Sequence, residues 1–330
     1  MTNETLAGYS NLALYSAMVV LTLSMVLYAV YLAGLLPARE SARESAAEAE
    51  VTERELVGVG AGAGASERAG RGVEAGPPAP VELSARTRKA GGIAQSFAVL
   101  GTLLLVATAV LRGLSVHRWP LGNMYEFGVV ASMFTMVVFV VWALRRDVKW
   151  LGLFVVGPVL VVLGMALTVW YTEASQLMPS LQSIWLAIHV TVATISVALF
   201  AVGCSVGLLY LAQRRFGRSR GVLAVLPEPR VLERLTYGLH IIAFPLWTFT
   251  LIAGAIWARQ AWGAYWNWDP KEVWTFVIWV VYAAYLHARV TRGWSRESAT
   301  WIAVAGFICV ILNYAVVNVY FVGMHSYSGL

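Results

Sequence analysis

Residues 257–279 read WARQAWGAYWNWDPKEVWTFVIW. Six tryptophans crowd into this stretch: Trp257, Trp262, Trp266, Trp268, Trp274 and Trp279. Tyr265 and the acidic-proline-basic step Asp269-Pro270-Lys271 lie among them. The chain is apolar on both sides, so the segment joins two hydrophobic spans. Tryptophan suits a membrane interface, where its ring finds apolar surroundings and its N–H a polar partner. An ordinary interfacial belt uses one or two such rings per helix end. A continuous aromatic shelf is instead a platform for a large, flat, apolar ligand. Local chemistry fixes where the following helix starts. Asp269 is placed to cap it, Pro270 suits its first position, and Glu272 occupies the capping-box position.

Working outward, the rest of the chain agrees. Its 330 residues are 59% hydrophobic and 13% charged, with a mean hydropathy of +0.68. These values exclude a soluble domain and give an all-α polytopic membrane protein. Apolar runs able to cross about 30 Å of hydrocarbon fall at about 10–36, 91–114, 124–144, 150–170, 184–212, 235–258, 273–290 and 299–322, eight spans in all. The net charge of +6 does not indicate nucleic acid, because Lys and Arg gather in alternate short loops. Arg39, Arg86, Arg145, Arg214, Arg230, Arg289 and their neighbours all fall on one side, which the positive-inside rule makes cytoplasmic. Both termini and the tryptophan segment are then expected to be extracytoplasmic. The first apolar run, within residues 1–36, is too long for a cleaved signal peptide and is expected to stay as an N-terminal membrane helix. Residues 37–90, rich in Ala, Glu, Arg, Gly and Pro, cannot build a core and read as a disordered cytoplasmic loop with room for a short helix at 41–56. Residues 91–330 form the remaining transmembrane domain. Cys204 and Cys309 lack a CxxC partner and read as small buried residues.

Ionisable residues in lipid-buried helices are costly and face a cavity, a partner or a cofactor. Of five histidines, His189 lies about one turn inside the outer end of the fifth span, and His325 lies just beyond the outer end of the last. Both sit at the level of the tryptophan shelf, where two imidazoles can serve as axial ligands of haem iron. His287 lies about 14 residues into the seventh span, roughly 20 Å below the shelf. There it can hold a second, inner haem, its other ligand coming from elsewhere in the chain or from a partner. The competing reading makes each histidine a helix–helix hydrogen-bonding group. His240 reads as structural and His117 as a solvated interface residue. Lys271 and Arg259 are candidates for a haem propionate or a lipid phosphate. In PLGNMYEF (120–127), Asn123 and Glu126 either cap the third span or line the outer cavity.

WGAYWNWDPKEVW resembles the tryptophan-rich "WWD" signature of haem-handling proteins. With WVVYAAYLHAR, PLGNMYEF, LQSIWLAIHV and the terminal GMHSYSG, the chain from about Leu100 onward is similar to the CcsA (ResC) type of System II cytochrome c biogenesis proteins. The resemblance implies haem export and covalent attachment of haem b, the substrate, to the CxxCH segment of apocytochrome c. Such a chain is one subunit of a cytochrome c synthase in the bacterial cytoplasmic membrane. Its implied partners are a CcsB/ResB-type subunit and a thioredoxin-like thiol reductant. His189 and His325 would be the outer axial ligands and His287 the transmembrane ligand of the inner site. Trp257, Trp262, Tyr265, Trp266, Trp268, Asp269 and Lys271 would bind the ring. No catalytic nucleophile is implied, only positioning. Three other functions compete: a System I-type haem chaperone, a haem transporter without ligation, and a transporter of another apolar or cationic substrate.

Overall fold

The computed structural model describes residues 3–60, 83–176, 182–218 and 221–325, with side chains 39–40 and 42–60 left aside. The chain is an all-α polytopic membrane protein, and among the described residues eight helices are long and apolar enough to cross a bilayer. In order these are α1 (Glu4–Gly60), α2 (Ala85–Val116), α3 (Met124–Arg145), α4 (Gly152–Thr168), α5 (Ile184–Phe216), α7 (Pro229–Trp262), α8 (Pro270–Val290) and α9 (Arg296–Leu312). A short α6 (Val222–Val225) lies between α5 and α7. The last span continues past α9 through a π-helical turn, Asn313–Val317, into a three-residue α10 (Asn318–Tyr320).

Most helix starts follow local capping chemistry. Ser84, Asn123, Ser183, Asp269 and Ser295 each accept a backbone N–H with the side chain. Asp269 and Glu272 form the full capping box, with Pro270 just inside the helix, as the order D-P-K-E predicts. Gly263, at φ 82°, ends α7 in the left-handed conformation that glycine adopts without a Cβ penalty.

Helices approach closely where side chains are small, the packing that operates when no hydrophobic force separates helix from lipid. Gly91 and Gly101 leave room on α2 for Tyr31 and Leu21 of α1. Ser24 Oγ donates to the Ala94 carbonyl at 2.8 Å, and Tyr28 OH donates to Gln95 Oε1 at 2.8 Å. One apolar core joins α1 to α5. A second joins α5, α7, α8 and α9.

Polar contacts gather the connections at two opposite ends. At one end Asn3 N meets the Ser115 carbonyl, Arg112 and Arg118 hold the carbonyls of Thr172 and Ser175, and Ser183 Oγ meets Gln260 Oε1 at 2.9 Å. The chain start, the 262–270 loop and residues 321–325 share this tryptophan end. At the other end Glu233 holds both Arg289 and Arg296.

Two boundaries differ from the sequence expectation. α1 continues through Pro37 to Gly60, taking in the 41–56 segment and much of the loop read as disordered. Residues 38–56 are dominated by Ala, Glu and Arg, strong helix formers that need no core to favour a helix. α2 begins at Ala85, ahead of its apolar run, because Ser84 caps it. The rest of that loop, 61–82, lies outside the described residues.

Candidate functional site

A cavity of about 820 Å³ opens at the tryptophan end and descends among α3, α4, α5 and α9. His189, His325, Trp257, Tyr265, Trp266 and Lys271 all line it. Six residues from the Ser183 cap, His189 turns from α5 toward α7, and its Nδ1 lies 2.8 Å from the Thr250 carbonyl. A carbonyl only accepts, so Nδ1 carries the proton and the lone pair sits on Nε2. The seat depends on Gly254, where a Cβ would fall 2.7 Å from His189 Cε1 and 2.9 Å from Nδ1. The buried Trp257 ring lies nearly parallel to the imidazole, 9° apart with centroids at 6.3 Å.

His325 reaches the same place from the far end of the chain. Asp269 Oδ2 accepts from its Nδ1 at 2.8 Å, and Asp269 Oδ1 accepts the Met324 N–H at 2.5 Å. The carboxylate that caps α8 therefore also clamps the tail. Burial pushes the Asp269 carboxyl up. The hydrogen bond and charge of His325, with the N–H groups of Met324 and Lys271, outweigh that and hold it below the usual carboxylate value. The bond to an ionised carboxylate again makes Nδ1 the donor. His325 stands edge-on to Trp262 at 4.7 Å and tilted against Trp257 at 5.6 Å. Trp257 thus touches both imidazoles.

Trp266, Trp268 and Trp279 belong to a second ring group, so the segment is not one unbroken shelf. Trp266 meets Trp268 edge-on at 5.8 Å and approaches Phe276, which stacks on Trp279. Trp268 is exposed and holds φ 58°, a left-handed conformation that costs a bulky residue energy and that clusters at functional sites. Lys271 Nζ donates to the Asn313 carbonyl at 3.0 Å, at the start of the π-helical turn, a feature frequent at functional sites. Trp257 Nε1, Glu272 Oε1 and Asn313 Oδ1 are buried without a hydrogen-bond partner. Each is a polar atom that a ligand can satisfy.

Several predicted residues stand apart. His287 is exposed on α8 and does not line the cavity. The Arg259 guanidinium closes on the Gly263 carbonyl and so caps its own helix. His240 is fully buried between α7 and Gly203 of α5, and His117 is the exposed left-handed cap of α2. Asn123 both caps α3 and lines the cavity. Glu126 turns away into a buried pairing with Arg112 and Arg118. Sequence reasoning missed Trp170 and Tyr314, which meet edge-on at 4.8 Å on the cavity wall, and it missed Asn313. An asparagine inside an apolar run was the available signal for the last of these.

The sequence profile of the family described as cytochrome C assembly protein matches residues 91–325. The chain is 31% identical to the cytochrome c biogenesis protein CcsA of Picosynechococcus sp., over 69% of its own length and 88% of the relative's. Identity to the CcsA of Parasynechococcus marenigrum is 32%, over 75% and 89%. Identity to that of Chlamydomonas reinhardtii is 34%, over 69% and 66%. A profile that spans the cavity, both of its histidines and the tryptophan segment leaves one assignment: the chain belongs to the cytochrome c assembly family and is of the CcsA type.

Proposed function

We propose that this member of a cytochrome c biogenesis family holds haem b as substrate between His189 and His325 on the extracytoplasmic side of a bacterial cytoplasmic membrane. There, with a CcsB/ResB-type subunit, it attaches the haem to the CxxCH segment of an apocytochrome c. The observation that carries the reading is the pair of imidazoles in one apolar cavity, both packed on Trp257 and both with Nδ1 as donor. That tautomer leaves Nε2 as the ligating atom, the arrangement in which a second-shell acceptor orients a metal-binding histidine. Among the described residues no three His, Cys, Asp or Glu side chains gather to cage a bare ion. Two imidazoles suit an iron whose porphyrin brings the other four ligands. A volume of about 820 Å³ lies within the usual range for a ligand pocket, about 300–1,000 Å³.

The chain's work is then positional. Trp257 and Trp262 pack the ring, Trp266, Tyr265 and Trp268 border its open edge, and Lys271 offers a cation to a propionate. The apocytochrome, its thiols kept reduced by a thioredoxin-like partner, adds each S–H across a vinyl group. Its own histidine displaces one of the protein's ligands. His287, on the outward face of α8, is the ligand this chain offers to an inner haem shared with the partner subunit.

The test is the visible spectrum of purified wild type beside His189→Ala and His325→Ala. A bis-histidine Soret band that shifts or weakens in both variants is expected. A colourless wild type, co-expressed with its partner under ample haem, would overturn the reading.

A further inference from the structure

The two imidazoles of the cavity are seated differently, and a ligand exchange has to choose between them. A ring leaves iron only if it can withdraw, so the space behind each imidazole matters. Behind His189 stands helix backbone. The ring projects from the second turn of α5 onto α7, with Nδ1 2.8 Å from the Thr250 carbonyl. A Cβ at Gly254 would already lie 2.7 Å from Cε1, so the imidazole rests against the α7 main chain. Withdrawal would require α5 and α7 to part. Two turns deeper the same helices are tied again, where Ser196 Oγ donates to the Ala243 carbonyl at 2.9 Å.

His325 is seated on a surface segment. Residues 321–325 follow α10 without helical structure, and Phe321, Val322 and Met324 are 48%, 95% and 44% exposed. This segment can move outward with its ring without separating any pair of spans. Asp269 raises the basicity of the His325 imidazole, which opposes release, but one hydrogen bond is a smaller term than a packed helix interface. The approach is open on the same side. Trp268, beside Asp269, and Tyr265 are exposed, and both lie in the loop after Trp262, whose ring meets His325 edge-on. Trp257, parallel to His189, is buried.

We infer that His325 is the ligand that the apocytochrome's histidine displaces, and that His189 stays on the iron throughout. The inference rests on the haem reading of the histidine pair. In the exchange the bond from iron to His325 Nε2 breaks, and a bond from iron to the incoming imidazole forms. No electron or proton is transferred, because His325 Nδ1 keeps its proton in the bond to Asp269. The carboxylate thereby holds the released ring close by, ready to return when the product departs.

The experiment uses the full chain, loaded with haem, as His325→Gly and as His189→Gly. Free imidazole is supplied first, and a restored bis-imidazole Soret band shows that each pocket is intact. The imidazole is then exchanged for a synthetic CxxCH peptide whose two cysteines are alkylated, so that it can coordinate but not form thioethers. The peptide histidine should complete a six-coordinate spectrum in His325→Gly with an affinity about tenfold or more above that in His189→Gly. Equal affinities, tighter binding to His189→Gly, or coordination in neither would overturn the inference. A second measurement uses wild type and stands even if a glycine variant fails to hold haem. The same peptide, with a benzophenone group beside its histidine, is photocrosslinked and the attachment mapped. Attachment within residues 321–325, or at Tyr265 or Trp268, is expected. Attachment to residues 184–190 of α5, or none, would overturn the assignment while leaving the histidine pair standing. A wild type without a bis-histidine Soret band would instead remove the haem reading itself.

Discussion

Asp269 joins the start of α8 to residues 324–325 through one side chain. It caps α8 by accepting the Lys271 N–H at 3.0 Å, and it holds the Met324 N–H and His325 Nδ1. Its carboxyl pKa lies below the ordinary value once the bonds and charge are set against burial. A group whose folded pKa is depressed contributes above its unfolded pKa, about 3.9 for Asp, and loses that contribution only as pH falls through the lowered value. The Asp269 side chain is therefore an ionised acceptor throughout the neutral range. Asparagine is as good an N-cap as aspartate, so Asp269→Asn separates the two roles. The start of α8 should survive, with a thermal midpoint near wild type. With the amide oxygen kept on the Lys271 N–H, the bond to His325 becomes a neutral one and the NH2 group faces the Met324 N–H, which loses its acceptor; that costs the tail about 1–3 kcal/mol, and haem affinity should drop about tenfold or more. Unchanged haem titration would show that the clamp does not matter to the ligand. Gly254 makes the complementary case for His189. A Cβ there collides with the imidazole, and overpacking of this kind costs about 1–3 kcal/mol. Gly254→Ala should weaken haem binding by about tenfold or more. Thr250→Val, which leaves the carbonyl acceptor in place, should bind as wild type. Equal titrations for the two variants would mean that His189 does not work from its seat on α7.

At the scale of the element, the last span is set by its π-helical turn. A π-turn holds one residue more than the α-helix around it. Removing one residue from Asn313–Val317 should return the span to plain α-helix and leave what lies beyond it close to its present register, because the wide turn is what absorbs the extra residue. Deletion of Ala315, half-buried and mid-turn, should give a protein that still inserts and purifies, since the apolar length barely changes. Its spectrum should stay bis-histidine, because residues 321–325 still meet Asp269. A spectrum like that of His325→Ala would show that the widened turn itself places the tail. No pattern in NYAVVNVY announces this feature; the run is apolar enough to read as plain α-helix, and the widening depends on what Lys271 and Tyr314 touch. The start of α8 was legible for the opposite reason. D-P-K-E acts within one turn, so the four residues carry the whole instruction. The division of the tryptophans was not legible, because it turns on the left-handed φ of Trp268, which spacing does not reveal. α1 outran its expected end because low complexity was read as lack of structure, although Ala, Glu and Arg favour a helix residue by residue.

For the molecule as a whole, the sequence sufficed to bring His189 and His325 to one end, because that step needs only the number of spans between them. It did not reveal that one cavity holds both, or that Gly254 seats one and Asp269 the other. Those are approaches between residues far apart in the chain. The same distinction frames His287. On α8, Phe276, Val280, Ala284 and His287 form one exposed stripe, at the i, i+4, i+8 and i+11 spacing of a single helix face. An imidazole left on a lipid-facing surface is costly, and this one lies about 25 Å along the helix from Pro270, in the last turn of α8. A partner helix that covers the stripe would remove that cost and could complete an inner haem site with a ligand of its own. Two chemically equivalent histidine substitutions should then behave differently. His189→Ala should lower the haem bound by this chain whether or not the CcsB/ResB-type subunit is present. His287→Ala should leave the haem of the isolated chain unchanged and lower only that of the co-purified complex. The check is total haem per protein, as pyridine haemochrome, in four preparations: each variant alone and each with the partner. A loss in His287→Ala alone as large as in His189→Ala would place both histidines on one haem, and the stripe on α8 would need another occupant.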